Sequence, residues 1–248
     1  MSDSPRLTDR TVSLPVLPLP AVVLPGSVVT ITMTDDAVRL AVQAATAVDG
    51  RVLLTGPGAD DLGVVARVPN TAMLPTGEQA AILQAEQRGR IVATHAAERG
   101  AAHADVEVLT DPRATPRVEA ATRELRVVLE EVAKLRGSRR LPEILRTVVE
   151  PGAMADAVTA WSEVGDPQRT DVLRAVDVYD RVQLVSRWAK DHLAELQVTS
   201  KIRADVTEGV DKQQREYLLR QQMAAIRKEL GEGDDDVVGD YRAKVAAL

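Results

Sequence analysis

The sequence predicts an α+β protein: a small, mostly antiparallel β domain followed by an α-helical bundle and a long C-terminal helix. Three observations carry this. Period-two alternation of apolar and polar residues is confined to the first hundred or so positions; DPRATPR at 111 to 117 then breaks every periodicity with two prolines and charge; and no proline interrupts Asp177 to about Leu230. At 248 residues the chain exceeds common single-domain size, so more than one unit is expected. The divisions are a β-rich domain at 1–110, a helical bundle at 118–195, and residues 196–248 continuing the long helix into an acidic linker.

Among the β elements, VVTITM (28–33) sets Val29, Ile31 and Met33 on one face and Thr30 and Thr32 on the other, the pattern of a half-buried strand. GVVARV (63–68), AAILQAE (80–86), RIVATH (90–95) and HADVEVL (103–109) read alike, with turns expected at Pro75-Thr76-Gly77 and Arg99-Gly100. One helix interrupts them. Asp35 is placed to cap DDAVRLAVQAATAV, whose Val38, Ala41, Val42 and Ala45 share a face.

After the break, VEAATRELRVVLEEVAKLRG spaces Ala121, Leu125, Val128, Val132 and Leu135 by four, three, four and three, with Gly137 as C-cap. PEILRTVVE follows with Pro142 in its first turn, and Pro151-Gly152 is expected to end it. GAMADAVTAWSEV is the next helical stretch, with Met154, Val158 and Trp161, and Asp166-Pro167 has the order that starts another helix. In the last helix Val198, Ile202, Val206 and Val210 step by four, whereas Leu219, Met223, Ile226 and Leu230 step by four, three and four, so the apolar stripe changes face. The first part is expected to pack on its own bundle and the second to meet something else.

Composition narrows the function. A net charge of −6 supplies no field for a polyanion, and aromatics are only 2% with no Phe, which leaves few stacking platforms. The absence of Cys removes disulfides and thiol nucleophiles. Neither a secretory leader nor an apolar run of membrane-spanning length is evident, so a cytoplasmic location is expected.

Chemistry-bearing patterns are few. TGPGADDLG (55–63) lacks the lysine of a phosphate loop and adds two aspartates, so it is expected to be a surface turn. His95 and His103 fall at strand ends and His192 on a helix, without metal-ligand spacing; Ser27 lacks a nucleophile-elbow context. No catalytic, cofactor-binding or metal-binding residue is assigned. Arg136, Arg139, Arg140 and Arg146 form the strongest basic cluster, expected as a charged inter-helix loop.

The blocks SLPVLPLPAVVLPGSVVTI at 13–31, LGVVARVPNTAMLPTGEQAAILQAEQRGRI at 62–91 and DKQQREYLLRQQMAAIRKELGEGDDD at 211–236 together resemble the amino-terminal region of Lon-type ATP-dependent proteases. The first is similar to that family's opening block, and the second to its second block. The third is the specific one. It matches the family signature at Lys212, Gln214, Arg215, Glu216, Tyr217, Leu219, Arg220, Gln222, Ala225, Ile226, Glu229, Leu230 and Gly231. MADAVTAW and RTDVLRAVDVYDRVQLV resemble the family's intervening L-A-D-x-x-A and L-L-E-x-x-D-x-x-x-R-L helices. An excess of Arg over Lys, with abundant Ala and Val, points to a GC-rich, actinobacterial type of genome.

The resemblance implies a PUA-like first domain and a non-catalytic region for substrate recognition and hexamer assembly. It further implies an AAA+ ATPase module and a Ser-Lys protease domain elsewhere in the parent, which would use ATP and Mg, whereas this region itself would need no cofactor. Partners implied are unfolded or degron-bearing proteins and further copies of the chain, with no membrane. Leu24, Pro25, Met73, Leu74 and Pro75 are the candidate substrate contacts; Tyr217, Leu218, Leu219, Met223, Ile226 and Leu230 are the candidate assembly and coupling face. The competing reading is a stand-alone PUA-like module for a ligand or nucleic acid, acting through Arg139 and Arg140. An independent enzyme is a third reading with no residues to name.

Overall fold

The computed structural model describes residues 11–58, 60–96, 100–138, 140–157, 164–229 and 242–246. Two compact units divide it, one through Leu193 and one from Ala194 onward.

Six strands build the first unit's sheet: β1 (Thr11–Pro18), β2 (Val28–Thr32), β3 (Arg51–Thr55), β4 (Leu62–Met73), β5 (Gln79–His95) and β6 (His103–Leu109), in the order β2-β5-β4-β3-β1-β6. All pairings are antiparallel except that of β1 with β3. β5 also pairs with β6, so five strands close into a ring and β2 lies outside it. The length of β5 makes this possible: Ala80 to Gln84 carry β2, and Arg88 to His95 carry β6. Leu14, Leu53, Val65, Ala104 and Val106 fill the interior. At Gly89 the strand has no room for a side chain, because a Cβ there would collide with the Val106 side chain.

The alternating segments appear as expected, with instructive differences. AAILQAE and RIVATH are one continuous strand, since Gln87-Arg88-Gly89 pass through without a turn. β4 runs on to Met73 across Pro69 with a register shift against β5 between Arg67 and Asn70, while the Val68 amide extends the pairing with β3 by donating to the Gly50 carbonyl at 2.8 Å. β3 had no alternation to announce it, because Val52, Leu53 and Leu54 are all buried. Helix α1 (Asp36–Val48) is capped by Asp35, whose carboxylate accepts from the Ala37 amide at 2.7 Å, and it buries Ala41, Val42 and Ala45.

Further helices follow: α2 (Pro116–Arg136), α3 (Arg140–Thr147), α4 (Pro151–Asp156), α5 (Asp166–Arg174) and α6 (Val178–Glu229). Gly137 ends α2 in the left-handed region at φ 63°. The buried stripe of α2 runs through Ala121, Leu125, Leu129 and Val132; Leu135 is exposed, so the expected stripe was one row off at its end. Pro151 opens α4 rather than ending its predecessor, being at the first turn where its missing N–H costs nothing. Gly165, not Asp166, is the N-cap of α5, and its amide donates to the Gln168 side chain at 2.9 Å. Val158 and Trp161 lie outside the described residues.

In α6, Val178, Val182, Val185 and Ala189 are buried, and all four belong to the first unit. Val198, Ile202 and Val206, expected to pack on the bundle, are instead more than half exposed. The change of environment therefore comes after Ala189, before the stripe changes face. From Ala194 to Glu229 the second unit's helix is about 54 Å long at 1.5 Å per residue.

Candidate functional site

Two loops hold the candidate substrate contacts, and the sheet register relates them. Met73 pairs with Gln79, and the Gln79 carbonyl also accepts from the Met33 amide at 2.8 Å. The β4–β5 turn thus lies just beyond the C-terminal end of β2. It is closed by the Leu74 amide donating to the Glu78 carbonyl at 2.8 Å and the Gly77 amide donating to Leu74 at 2.9 Å, with Gly77 at φ 84°. Met73 is 64% exposed, Pro75 is exposed and Leu74 half-buried. Such an apolar tip is costly in water and available for contact.

The other loop enters β2 at its opposite end. Pro25 is half-buried there, but Leu24 is 0% exposed and belongs to the core. Leu24 is therefore withdrawn from the contact set: its side chain is packed beneath the loop that sequence patterning placed at the surface.

Pro25 also lines a groove of about 840 Å³ within the first unit, between the sheet and the helices. Arg88, Asp111, Arg117, Asp156 and Tyr179 are among its walls. An ion network lies at its base. Both terminal guanidinium nitrogens of Arg88 donate to the Asp156 carboxylate, at 2.8 and 2.6 Å, and Arg88 also donates to the Val172 and Leu173 carbonyls. Arg181 donates to Asp156 at 3.0 Å and to Asp111 at 2.6 Å. Arg88, Asp156 and Arg181 are each at most 4% exposed, so this bidentate geometry offsets a large desolvation cost. Strand β5, helix α4, helix α6 and the 110–115 segment are tied together at one point. At the rim, the Arg117 guanidinium sits 3.9 Å over the Tyr179 ring.

Sequence reasoning missed this network, although a signal existed. Arg181 falls at helical spacing with Val178, Val182 and Val185, so a charge stands on an apolar face. Asp156 likewise follows Met154 and Ala155.

The remaining candidates are plainly placed. Gly58, at φ 77°, is a turn whose neighbour Pro57 accepts from the Thr170 hydroxyl at 3.4 Å, so TGPG docks α5 rather than cradling phosphate. His95 and His103 face one another at the ends of β5 and β6, and His95 bonds the Asp105 carboxylate at 2.9 Å. That hydrogen bond, joined by one involving Ser13, holds Asp105 below the usual carboxylate range. Among the described residues no cluster of three or more His, Cys, Asp or Glu is arranged to hold a metal, and no helix is long and apolar enough to cross a membrane. In the second unit, Tyr217, Leu218, Leu219, Met223 and Ile226 are all more than half exposed. Leu230 and Arg139 lie outside the described residues.

A closed mixed ring with one appended strand, tied to its helices by a buried ion network, defines the first unit. Residues 13–191 match the family described as the ATP-dependent protease La (Lon) substrate-binding domain, and the chain belongs to that family. It is 39% identical over 232 residues to the Lon protease of Mycolicibacterium smegmatis, covering 91% of this chain and 30% of that protein. With the Lon protease of Salinispora arenicola it shares 38% identity over 240 residues, 95% of this chain and 31% of the other. The chain thus spans under a third of these relatives' length. Among solved structures, the N-terminal domain of a Mycobacterium avium complex Lon protease superimposes with a TM-score of 0.66 at 29% identity, over 73% of this chain and 99% of that one.

Proposed function

We propose that the chain is the non-catalytic substrate-recognition and hexamer-assembly region of an ATP-dependent Lon-type serine protease that degrades misfolded and short-lived regulatory proteins. The observation that carries this is the match of residues 13–191 to a substrate-binding domain family. Recognition belongs to the first unit, where Met73, Leu74, Pro75 and Pro25 supply apolar contact. Assembly and coupling belong to residues 196–248, where the face centred on Leu219, Met223 and Ile226 meets neighbouring subunits or the ATPase module. ATP and Mg act in that module, and the Ser-Lys protease domain performs the cleavage, in the cytoplasm.

The mechanism is weak, multivalent capture. Six copies around a ring hold a polypeptide at high effective concentration, so no single copy needs tight affinity. The division into 1–110, 118–195 and 196–248 follows this separation of tasks. Fluorescence anisotropy of a labelled, permanently unfolded protein, titrated with residues 1–248 and compared with a folded control of similar charge, tests the reading. Selective binding of the unfolded chain is expected. Equal or absent binding by a folded sample would reduce the role to assembly.

A further inference from the structure

Strand β2 is, among the described residues, the one strand paired on a single side. Its bonds to β5 are fixed at both ends: Ala85 donates to the Ser27 carbonyl at 2.9 Å, and Met33 donates to the Gln79 carbonyl at 2.8 Å. In an antiparallel ladder the intervening odd residues, Val29 and Ile31, share that direction. The N–H and C=O groups of Val28, Thr30 and Thr32 therefore point away from the sheet. These three residues are exposed, and no hydrogen bond from described residues reaches their backbone.

Proteins normally guard such an edge with Lys, Pro, a bulge or a cover. Among the described residues none of them lies within Val28–Thr32; a bulge, where Gly26 at φ 81° and Ser27 both bond to Ala85, comes just before the strand and leaves its edge straight. VVTIT is composed only of β-branched residues, and no charged residue occurs from Thr11 to Thr34. The edge starts beside Pro25 and ends beside the Met73–Pro75 turn, so an apolar contact stands at each end of a row of free backbone groups. An uncharged edge complements an uncharged segment; a charged strand laid along it would leave its ions without partners.

We propose that the free edge of β2 captures an extended, uncharged, apolar segment of an unfolded polypeptide by adding it as a further strand, with Val28, Thr30 and Thr32 supplying the main-chain hydrogen bonds. This deepens the recognition role and rests on it. Backbone pairing explains recognition without a sequence motif: every unfolded chain offers the same amides, whereas a folded protein has already used them.

The test uses residues 1–248 and a fluorescein-labelled peptide of about twelve uncharged residues rich in Val, Ile and Thr, compared with the same peptide N-methylated at four successive central amides so that neither edge can donate. The unmodified peptide is expected to bind at least about tenfold more tightly, consistent with losing more than one backbone bond. Hydrogen exchange at the Val28, Thr30 and Thr32 amides is expected to slow when it binds. Thr30→Pro removes an outward N–H without touching a bond to β5, and is expected to weaken binding while the far-UV spectrum stays unchanged. Equal affinity for the two peptides, absence of binding, or protection confined to other amides would overturn the proposal. So would self-association through β2 that the peptide does not displace, because the occupant would then be a second copy. If an unfolded protein binds the wild-type chain yet methylation makes no difference, the edge fails and the recognition role survives; if the unfolded protein is not bound selectively, the recognition role fails too.

Discussion

At the scale of single residues, the Arg88–Asp156–Arg181 network determines how the sheet and helices of the first unit hold together. Arg88→Met removes one guanidinium from a buried carboxylate and orphans two helix-end carbonyls. A loss of about 3–5 kcal/mol is expected, measured by urea unfolding against wild type; a loss under about 1 kcal/mol would mean the network contributes little. Gly152 protects the same cluster by close approach, since a Cβ there would collide with the Asp111 carboxylate that Arg181 holds. A weaker, pH-dependent contact joins β5 to β6. Asp105 is depressed by its hydrogen bond with His95, so its contribution is fully present above the unfolded carboxylate value of about 3.9 and is lost as pH falls through the lower folded value. His95→Ala is expected to move the Asp105 titration midpoint upward in an NMR pH series; an unmoved midpoint would assign the depression to Ser13.

At the scale of elements, the exposed part of α6 carries apolar residues that the core does not use. Leu219, Met223 and Ile226 lie within about 60° of one another around a 3.6-residue helix, whereas Tyr217 and Leu218 fall on other faces. The Tyr217 hydroxyl accepts from the Gln221 side chain at 2.9 Å, which anchors it along its own helix. Replacing Leu219, Met223 and Ile226 together by Ser is expected to change first-unit stability by no more than about 0.5 kcal/mol, because these side chains are already exposed. In the full-length protein the same replacement is expected to lower the assembled fraction in sedimentation velocity, and unchanged assembly would remove the stripe from the subunit contact. Periodicity made the helix and its stripe legible, but solvent exposure is a tertiary property that spacing does not encode. That is why Val198, Ile202 and Val206, which read as bundle residues, proved exposed. Strands with one solvated face were legible in the same way, while β3, buried on both sides, offered no alternation. The Met73–Pro75 turn could be found from its proline and glycine. Leu24 could not be told from a surface residue, because loop chemistry marks where the chain bends and not which side chains the bend covers.

At the scale of the whole molecule, the core ends before the chain does. No residue beyond Ala189 is among the buried hydrophobics of the described residues, and the contact units divide only a few positions later, at Leu193. The last buried helical contacts and the buried charges are therefore all present in a chain stopped there, and the groove and β2 edge are complete within it. The described residues from Ala194 to Glu229 lengthen a helix without adding core, so removing them withdraws little apolar area from the folded state. A chain ending at Leu193 is expected to unfold within about 2 °C of the full 248 residues by calorimetry, and to bind a labelled unfolded protein with the same single-copy affinity. Its binding should vary little between low and high salt, since main-chain and apolar contacts dominate at an uncharged edge. A Tm lowered by about 10 °C would place a necessary part of the core's support in the second unit, and lost affinity at unchanged Tm would move recognition onto the long helix.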